Sequence, residues 1–154
     1  MLTRVRRLTT PLTVLLLAAG TALGTVAVAG SAAANQGGVP AIPLNTGQET
    51  TGSNTGASGF FSYTVEGAML CYTLTVRDLS VPATAAHIHL APRHVAGPIE
   101  IPLMVGSETT FEISTCTTPD DPVALAGLLA NPRSYYVNVH TPTFPGGEVR
   151  GQLK

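Results

Sequence analysis

A strict two-residue alternation marks residues 70–76, which read Leu-Cys-Tyr-Thr-Leu-Thr-Val. Successive side chains of a β-strand point to opposite faces, so the apolar side chains of this stretch would face a core and Cys71 would face away from it. Similar segments recur along the chain, separated by Gly, Pro, Asn and Ser clusters. We expect strands at residues 41–49, 58–66, 69–78, 83–90, 98–104, 109–116, 134–140 and 147–153. This spacing predicts an all-β fold, an antiparallel Greek-key-like β-sandwich of about eight strands.

One segment departs from the alternation, residues 120–132. It starts with two aspartates and a proline, which favour a helix N-terminus, and it stops at an Asn-Pro pair. Leu125, Leu128 and Leu129 fall on one helical face. We therefore expect one short helix that covers part of the core.

The N-terminus has the three parts of an export signal. Residues 4–7 carry three arginines, residues 12–29 are apolar and rich in Ala and Leu, and residues 32–34 are alanines that suit cleavage. A retained membrane anchor is the alternative, but many Ala, Gly and Thr residues make the apolar segment weakly hydrophobic. We therefore expect a secreted protein, exported by the Sec or the twin-arginine route. Its parts would be a signal peptide (1–34), a flexible leader (35–40) and one folded domain (41–154).

The charge of the exported part excludes two classes of partner. Residues 35–154 hold five Lys and Arg against nine Asp and Glu, a formal charge of −4. Nucleic acids and anionic membrane surfaces attract clustered Lys and Arg, so we expect neither as a partner. No apolar run after the signal approaches membrane-spanning length. The expected partner is an extracellular or cell-envelope ligand.

Two cysteines in an exported chain predict one disulfide, between Cys71 and Cys116. The alternation supports this pairing, because Phe111 and Ile113 would face the core and leave Cys116, like Cys71, on the outer face. The bridge would close a loop of about 45 residues and stabilise the fold by roughly 4 kcal/mol in the chain-entropy model. Thiolate metal ligands are the alternative, but neither cysteine has a Cys or His at ligand spacing.

The histidines are the candidate functional residues. His87 and His89 share the outer face of one predicted strand, with Ile88 on the opposite face. His140 falls on the outer face of a later strand, and His94 lies in a loop that could fold back over the first pair. Neutral imidazoles held side by side suit copper or zinc, whereas Ca²⁺ and Mg²⁺ prefer carboxylate clusters. The pattern therefore indicates a transition-metal site, with copper ahead of zinc.

Two charged residues accompany the last of these histidines. If the strands at 134–140 and 147–153 form a hairpin, Glu148 and Arg150 lie close to His140. Glu148 could accept a hydrogen bond from a histidine ligand and so orient it, as metal sites usually require. We expect both charged side chains on the outer face of the last strand.

Four segments resemble the chordin-type (CHRD) domain: Ala-Ala-His-Ile-His (85–89), Gly-Pro-Ile-Glu-Ile-Pro-Leu (97–103), Tyr-Val-Asn-Val-His-Thr (136–141) and Phe-Pro-Gly-Gly-Glu-Val-Arg-Gly-Gln-Leu (144–153). CHRD domains typically open with a Gly-Ala-Gln-Glu-Val-Pro-Pro-like stretch, of which residues 46–51 keep Gln-Glu and lack the prolines. The resemblance runs from about residue 44 to residue 153. It implies an extracellular β-domain, a family without one general biochemical activity.

A more distant likeness is to the copper-zinc superoxide dismutase sandwich. That likeness implies His87, His89 and His140 as copper ligands. It further implies His94 as a bridging ligand and Arg150 as a catalytic cation that guides an anion to the metal. The remaining ligands of a zinc subsite have no counterpart after His94, so only a copper-only site would survive.

Three hypotheses follow. The first is a secreted CHRD-type binding or structural module that holds a transition metal in its histidine cluster. The alternative is a copper-only dismutase-like oxidoreductase. The third is a module with no metal at all, whose histidines are surface strand residues bonded to a neighbouring Glu or to backbone.

Overall fold

The computed structural model describes residues 41–154. The expected signal peptide (1–34) and leader (35–40) lie outside these residues. The strands are β1 (Ile42–Asn45), β2 (Ser58–Glu66), β3 (Met69–Arg77), β4 (Ala85–Leu90), β5 (Ile99–Leu103), β6 (Phe111–Thr117), β7 (Tyr135–His140) and β8 (Val149–Gln152). The helices are α1 (Pro122–Ala130) and two 3₁₀ helices, Thr46–Gln48 and Pro132–Ser134.

All eight expected strands are present, together with the expected helix, which confirms the all-β class. The strand expected at 41–49 is shorter than predicted. It ends at Asn45 because the chain turns into a 3₁₀ helix at Thr46.

The strands form one antiparallel sheet in the order β5-β4-β7-β8-β1-β2-β3-β6. Three of the neighbouring pairs, β4–β7, β8–β1 and β3–β6, are distant in sequence, as in Greek-key connections. The sheet folds around one hydrophobic core in a sandwich-like arrangement. The half of the sheet that holds β4, β5 and β7 meets the half that holds β2, β3 and β6. At one such contact the backbone N–H of Met104, just after β5, donates to the hydroxyl of Tyr72 on β3 at 2.8 Å.

The core is built from the inward side chains of both halves, as the alternation predicts. Leu74 and Phe61 come from one half, and Ile88 and Val137 come from the other; all four are fully buried. Burying side chains of this size stabilises the fold by roughly 1.5–3 kcal/mol each.

The helix α1 begins and ends where its sequence predicts. The side chain of Asp121 accepts a hydrogen bond from the backbone N–H of Val123 at 2.8 Å, an N-cap, and a proline occupies the first turn. Leu125 and Leu128 are buried against the sheet. Leu129, which was expected on the same face, is instead 58 % exposed.

The expected disulfide is present. Cys71 and Cys116 lie directly opposite each other in the β3–β6 ladder and are bonded. Both side chains are on the outer face, since Leu70 and Tyr72, which flank Cys71, are buried in the core and Cys116 lies directly opposite Cys71.

Across residues 41–154, no helix is long and apolar enough to cross a membrane.

Candidate metal centre

The pairing of β4 with β7 brings three histidines onto one outer face of the sheet. Ala85 lies opposite His140, and His87 lies opposite Asn138. Side chains of directly opposite residues share a face, so His140 approaches His87 diagonally. The ring centroid of His87 is 4.9 Å from that of His140 and 5.5 Å from that of His89.

The imidazole nitrogens converge to a metal-ligand spacing. One nitrogen from each of His87, His89 and His140 lies within 4.8 Å of the others. The shortest separation is 3.0 Å, between Nδ1 of His87 and Nε2 of His140. Copper– or zinc–nitrogen bonds of about 2.0–2.1 Å place neighbouring ligand nitrogens roughly 3.3–3.6 Å apart, so ring rotations that move the nitrogens by about 1 Å would complete the site.

Two of the rings are oriented by backbone carbonyls. Nδ1 of His89 is 3.0 Å from the carbonyl oxygen of Gly97, and Nδ1 of His140 is 2.9 Å from that of Pro145. A carbonyl oxygen only accepts, so each Nδ1 carries the proton and each Nε2 keeps its lone pair. In His140 that lone pair accepts the Nδ1 proton of His87. To bind a metal through Nδ1, His87 would have to carry its proton on Nε2 instead.

Burial keeps all three rings neutral at neutral pH. Desolvation lowers the pKa of His87 to about 4, helped by the charges of His140 and His89. Burial likewise lowers the pKa values of His89 and His140. A histidine must be deprotonated to bind a metal, so no proton has to be removed from a charged ring at pH 7.

The fourth histidine, His94, does not join this cluster, which corrects the sequence prediction. It is exposed on the loop between β4 and β5 and has a φ of 60°. That loop turns tightly, because the backbone N–H of Val95 donates to the carbonyl oxygen of Pro92.

Glu148 does not orient His140, a second correction. Its carboxylate is fully buried and accepts hydrogen bonds from the Thr55 and Thr141 hydroxyls and from the backbone N–H and hydroxyl of Ser80, each at 2.8 Å. Burial alone would raise the pKa of Glu148, but these donors hold it below its usual value. Glu148 therefore links the loops that carry Thr55, Ser80 and Thr141. The ring of His140 is oriented instead by the carbonyl oxygen of Pro145.

Arg150 is also placed differently from the prediction. Its side chain is 0 % exposed, because the β4–β5 loop folds over the outer face of β8. The guanidinium donates to the carbonyl oxygens of Val95 and Pro92 at 2.9 and 2.8 Å, and its Cζ lies 3.3 Å from the ring centroid of Tyr136. A cation enclosed in this way cannot contact a dissolved anion.

A family model described as CHRD domain matches residues 41–153. The chain belongs to the CHRD domain family. This confirms the resemblance seen in the sequence. Searches of curated proteins and of solved structures found no match.

The CHRD opening stretch contributes to the outer face, a role that sequence reasoning missed. Gln48 and Glu49 are buried there. The side-chain oxygen of Gln48 accepts from the guanidinium of Arg93 at 3.1 Å and from the backbone N–H of Gln152 at 3.3 Å. The sequence did offer one sign of this role: Gln48 and Glu49 are kept although the rest of the CHRD opening stretch is altered.

Tyr136 and Asn138 are two further residues of this CHRD domain that the sequence did not single out. The ring of Tyr136 stacks on His89 with centroids 4.8 Å apart and planes at 5°. Asn138 is 1 % exposed, and its side-chain N–H donates to the carbonyl oxygen of Gly146 at 3.3 Å. The alternation along β7 predicts that Tyr136 and Asn138 lie on the outer face. It does not predict that they are buried there, because the loops that cover them are distant in sequence.

Proposed function

We propose that this CHRD domain is an extracellular module that binds one transition-metal ion, copper ahead of zinc, through His87, His89 and His140. One observation carries the proposal. Three ring nitrogens converge within 4.8 Å, and backbone carbonyls fix two of the rings so that each Nε2 holds its lone pair. Metal-binding histidines usually donate their other ring N–H to such an acceptor.

The burial of His89 favours a metal over the hypothesis of ordinary surface histidines. Its Nε2 is buried and has no hydrogen-bond partner. An unsatisfied buried polar atom costs about 1–3 kcal/mol, whereas a metal ion bound at this nitrogen would satisfy it. Surface strand histidines bonded to a neighbouring glutamate or to backbone would keep Nε2 in contact with solvent, which would satisfy it.

The donor set supports copper. The cluster offers three neutral nitrogens and no carboxylate, and the two cysteines are joined in the disulfide. Ca²⁺ and Mg²⁺ require oxygen ligands, and nitrogen sites bind Cu²⁺ more tightly than Zn²⁺ in the Irving–Williams order.

The position of Arg150 favours binding over catalysis. Three protein ligands leave a coordination position free, as catalytic sites do, and this keeps the dismutase-like alternative testable. Its proposed guiding cation, however, is enclosed under the β4–β5 loop. The extracellular setting is supported by the family, whose domains occur in extracellular proteins, and by the disulfide, which persists in oxidising compartments.

The test is metal content of the purified protein after exposure to equal copper and zinc, followed by desalting and mass spectrometry. We expect about one equivalent of copper, with His89→Ala and His140→Ala each lowering affinity more than about 100-fold. His94→Ala is the matched control and should keep its copper, since His94 lies outside the cluster. Thermal unfolding of each variant separates loss of the site from loss of the fold.

Retention of copper by His89→Ala and His140→Ala, or no copper in the unmodified protein, would refute the proposal. Superoxide dismutation by the copper-loaded protein, abolished in His140→Ala, would establish the oxidoreductase alternative instead.

A further inference from the structure

Three side chains form a stack that starts at the histidine cluster and runs along the outer face. The ring of Tyr136 lies parallel to that of His89, 4.8 Å away, and the guanidinium of Arg150 lies against the Tyr136 ring at 3.3 Å. Tyr136 and Arg150 are 3 % and 0 % exposed. The strand register explains both contacts. Tyr136 on β7 lies directly opposite His89 on β4, and Arg150 lies on β8, the next strand after β7 in the sheet.

The charge of Arg150 is poorly neutralised by its surroundings. Its guanidinium donates to the backbone carbonyls of Val95 and Pro92 and, at 3.4 Å, to the side-chain oxygen of Gln152, all of them neutral. Glu49 is the carboxylate whose charge it feels, but Oε1 of Glu49 and Nε of Arg150 are both buried without a hydrogen-bond partner.

This positive charge acts on the cluster. Both His89 and Arg150 contact the ring of Tyr136, so this charge lies close to a proposed metal ligand. A positive charge this close to His89 disfavours a second positive charge on a metal bound to that ring. The two spacings, 4.8 and 3.3 Å, place Arg150 Cζ at most about 8 Å from the centre of the His89 ring. At that distance and an effective dielectric constant near 20, one added positive charge on a bound ion would weaken its binding roughly 10- to 30-fold.

The ligand arrangement also disfavours copper(II). Cu(II) prefers four ligands in a square-planar or tetragonal arrangement. The cluster supplies three neutral nitrogens on one sheet face, and none of its ligands carries a negative charge to offset a divalent ion.

Building on the proposed function, we propose that the centre selects copper(I) over copper(II), with the buried Arg150 as a specificity-determining residue that acts through Tyr136 and His89. The copper-loaded protein is thereby a carrier of the reduced ion, and a copper(II) complex with it is readily reduced by a mild one-electron donor such as ascorbate.

The test compares the affinities of the protein for the two ions. Copper(I) affinity is measured by competition with bicinchoninate under anaerobic conditions with ascorbate, and copper(II) affinity by competition with glycine. We expect the unmodified protein to bind copper(I) at least about tenfold more tightly than copper(II). Arg150→Gln should lower the copper(I) to copper(II) affinity ratio by about tenfold or more, equivalent to a fall of about 59 mV per tenfold in reduction potential.

Two further variants separate charge from packing. Arg150→Lys keeps the charge and should keep the ratio within about threefold. Arg93→Gln removes a charge from the exposed part of the same loop, where solvent screens it, and should change the ratio less than about twofold. Copper stoichiometry and thermal unfolding are recorded for every variant.

The outcomes are distinguishable. If the unmodified protein binds neither ion, the proposed function itself fails. If it binds copper but prefers copper(II), the present inference is overturned even if Arg150→Gln does not fold. The inference is also overturned if Arg150→Gln keeps both stoichiometry and ratio, or if the Gln and Lys variants shift the ratio equally.

Discussion

The Nδ1 atom of His140 lies 2.9 Å from the carbonyl oxygen of Pro145, five residues later in the same hairpin. The turn between β7 and β8 therefore sets the tautomer of a proposed metal ligand that precedes it. The turn is itself shaped by Gly147, which has a φ of 124°. A Cβ there would collide with the side-chain atoms Oε1 of Glu49 and Nδ2 of Asn138.

Gly147→Ala should therefore destabilise the fold for two reasons, backbone strain and collision with two buried polar groups. We expect the free energy of unfolding in urea to fall by about 2–4 kcal/mol. Gly52→Ala is the matched control. Gly52 also has a positive φ, 71°, but a Cβ there would meet no atom within 4 Å, so only the strain of about 1–2 kcal/mol applies. Equal losses in the two variants would show that Glu49 and Asn138 do not fill the space beside Gly147.

The pKa of His87 predicts how the stability of the metal-free protein depends on pH. Burial, together with the charges of His140 and His89, lowers this pKa from 6.5 to about 4 in the folded state. Between these values the unfolded chain binds a proton that the folded chain does not, so stability rises with pH. The free energy of unfolding should thus fall as pH is lowered from 6.5 towards 4. His87→Gln should show a shallower slope over that range in denaturant titrations, and an unchanged slope would contradict the assigned burial of the ring.

Glu148→Gln should weaken the fold but leave the metal centre intact. The amide has the same shape, but its NH₂ group cannot accept the hydrogen bonds that Thr55, Ser80 and Thr141 donate to the carboxylate. Losing such bonds at a buried carboxylate costs about 2–4 kcal/mol in the free energy of unfolding. Glu112→Gln, at an exposed site with one hydrogen bond from Thr75, should cost less than about 1 kcal/mol. Copper affinity should remain within about threefold of that of the unmodified protein in both variants. A large loss in Glu148→Gln would restore the role that the sequence suggested for this carboxylate.

The sequence predicted the strands and the histidine cluster because both follow from the two-residue period. Once His87 and His89 were assigned to one face of β4 and His140 to the outer face of β7, only the pairing of these strands was needed to bring them together. The disulfide followed from the same parity argument. These features depend on local alternation, which a single sequence displays directly.

Burial of the outer face was not predictable in this way. A sandwich strand is expected to have one face in the core and one in solvent, yet every residue of β7 is buried. The cover comes from the β4–β5 loop and from the Gln48–Glu49 segment, which are distant from β7 in sequence. Arg150 was therefore expected in solvent and Glu148 beside a ligand, because no local pattern encodes which loop folds over which strand.

The disulfide and the metal centre should be independent of each other. Cys71 and Cys116 join β3 to β6, whereas the three histidines lie on β4 and β7, with three strands between β7 and β3 in the sheet. Replacing both cysteines by alanine removes a constraint on a loop of about 45 residues and should lower the free energy of unfolding by roughly 4 kcal/mol.

The control for this variant lies two residue pairs along the same β3–β6 ladder. Thr73 and Ser114 lie opposite each other on the same outer face and share an exposed hydrogen bond of 2.8 Å. Replacing both by alanine should cost only about 1 kcal/mol. Under conditions where the cysteine variant is still folded, its copper affinity should match that of the control, because distant sites without shared partners act additively. A drop in copper affinity comparable to that of His89→Ala would mean instead that the bridge holds the histidine strands in register through the core.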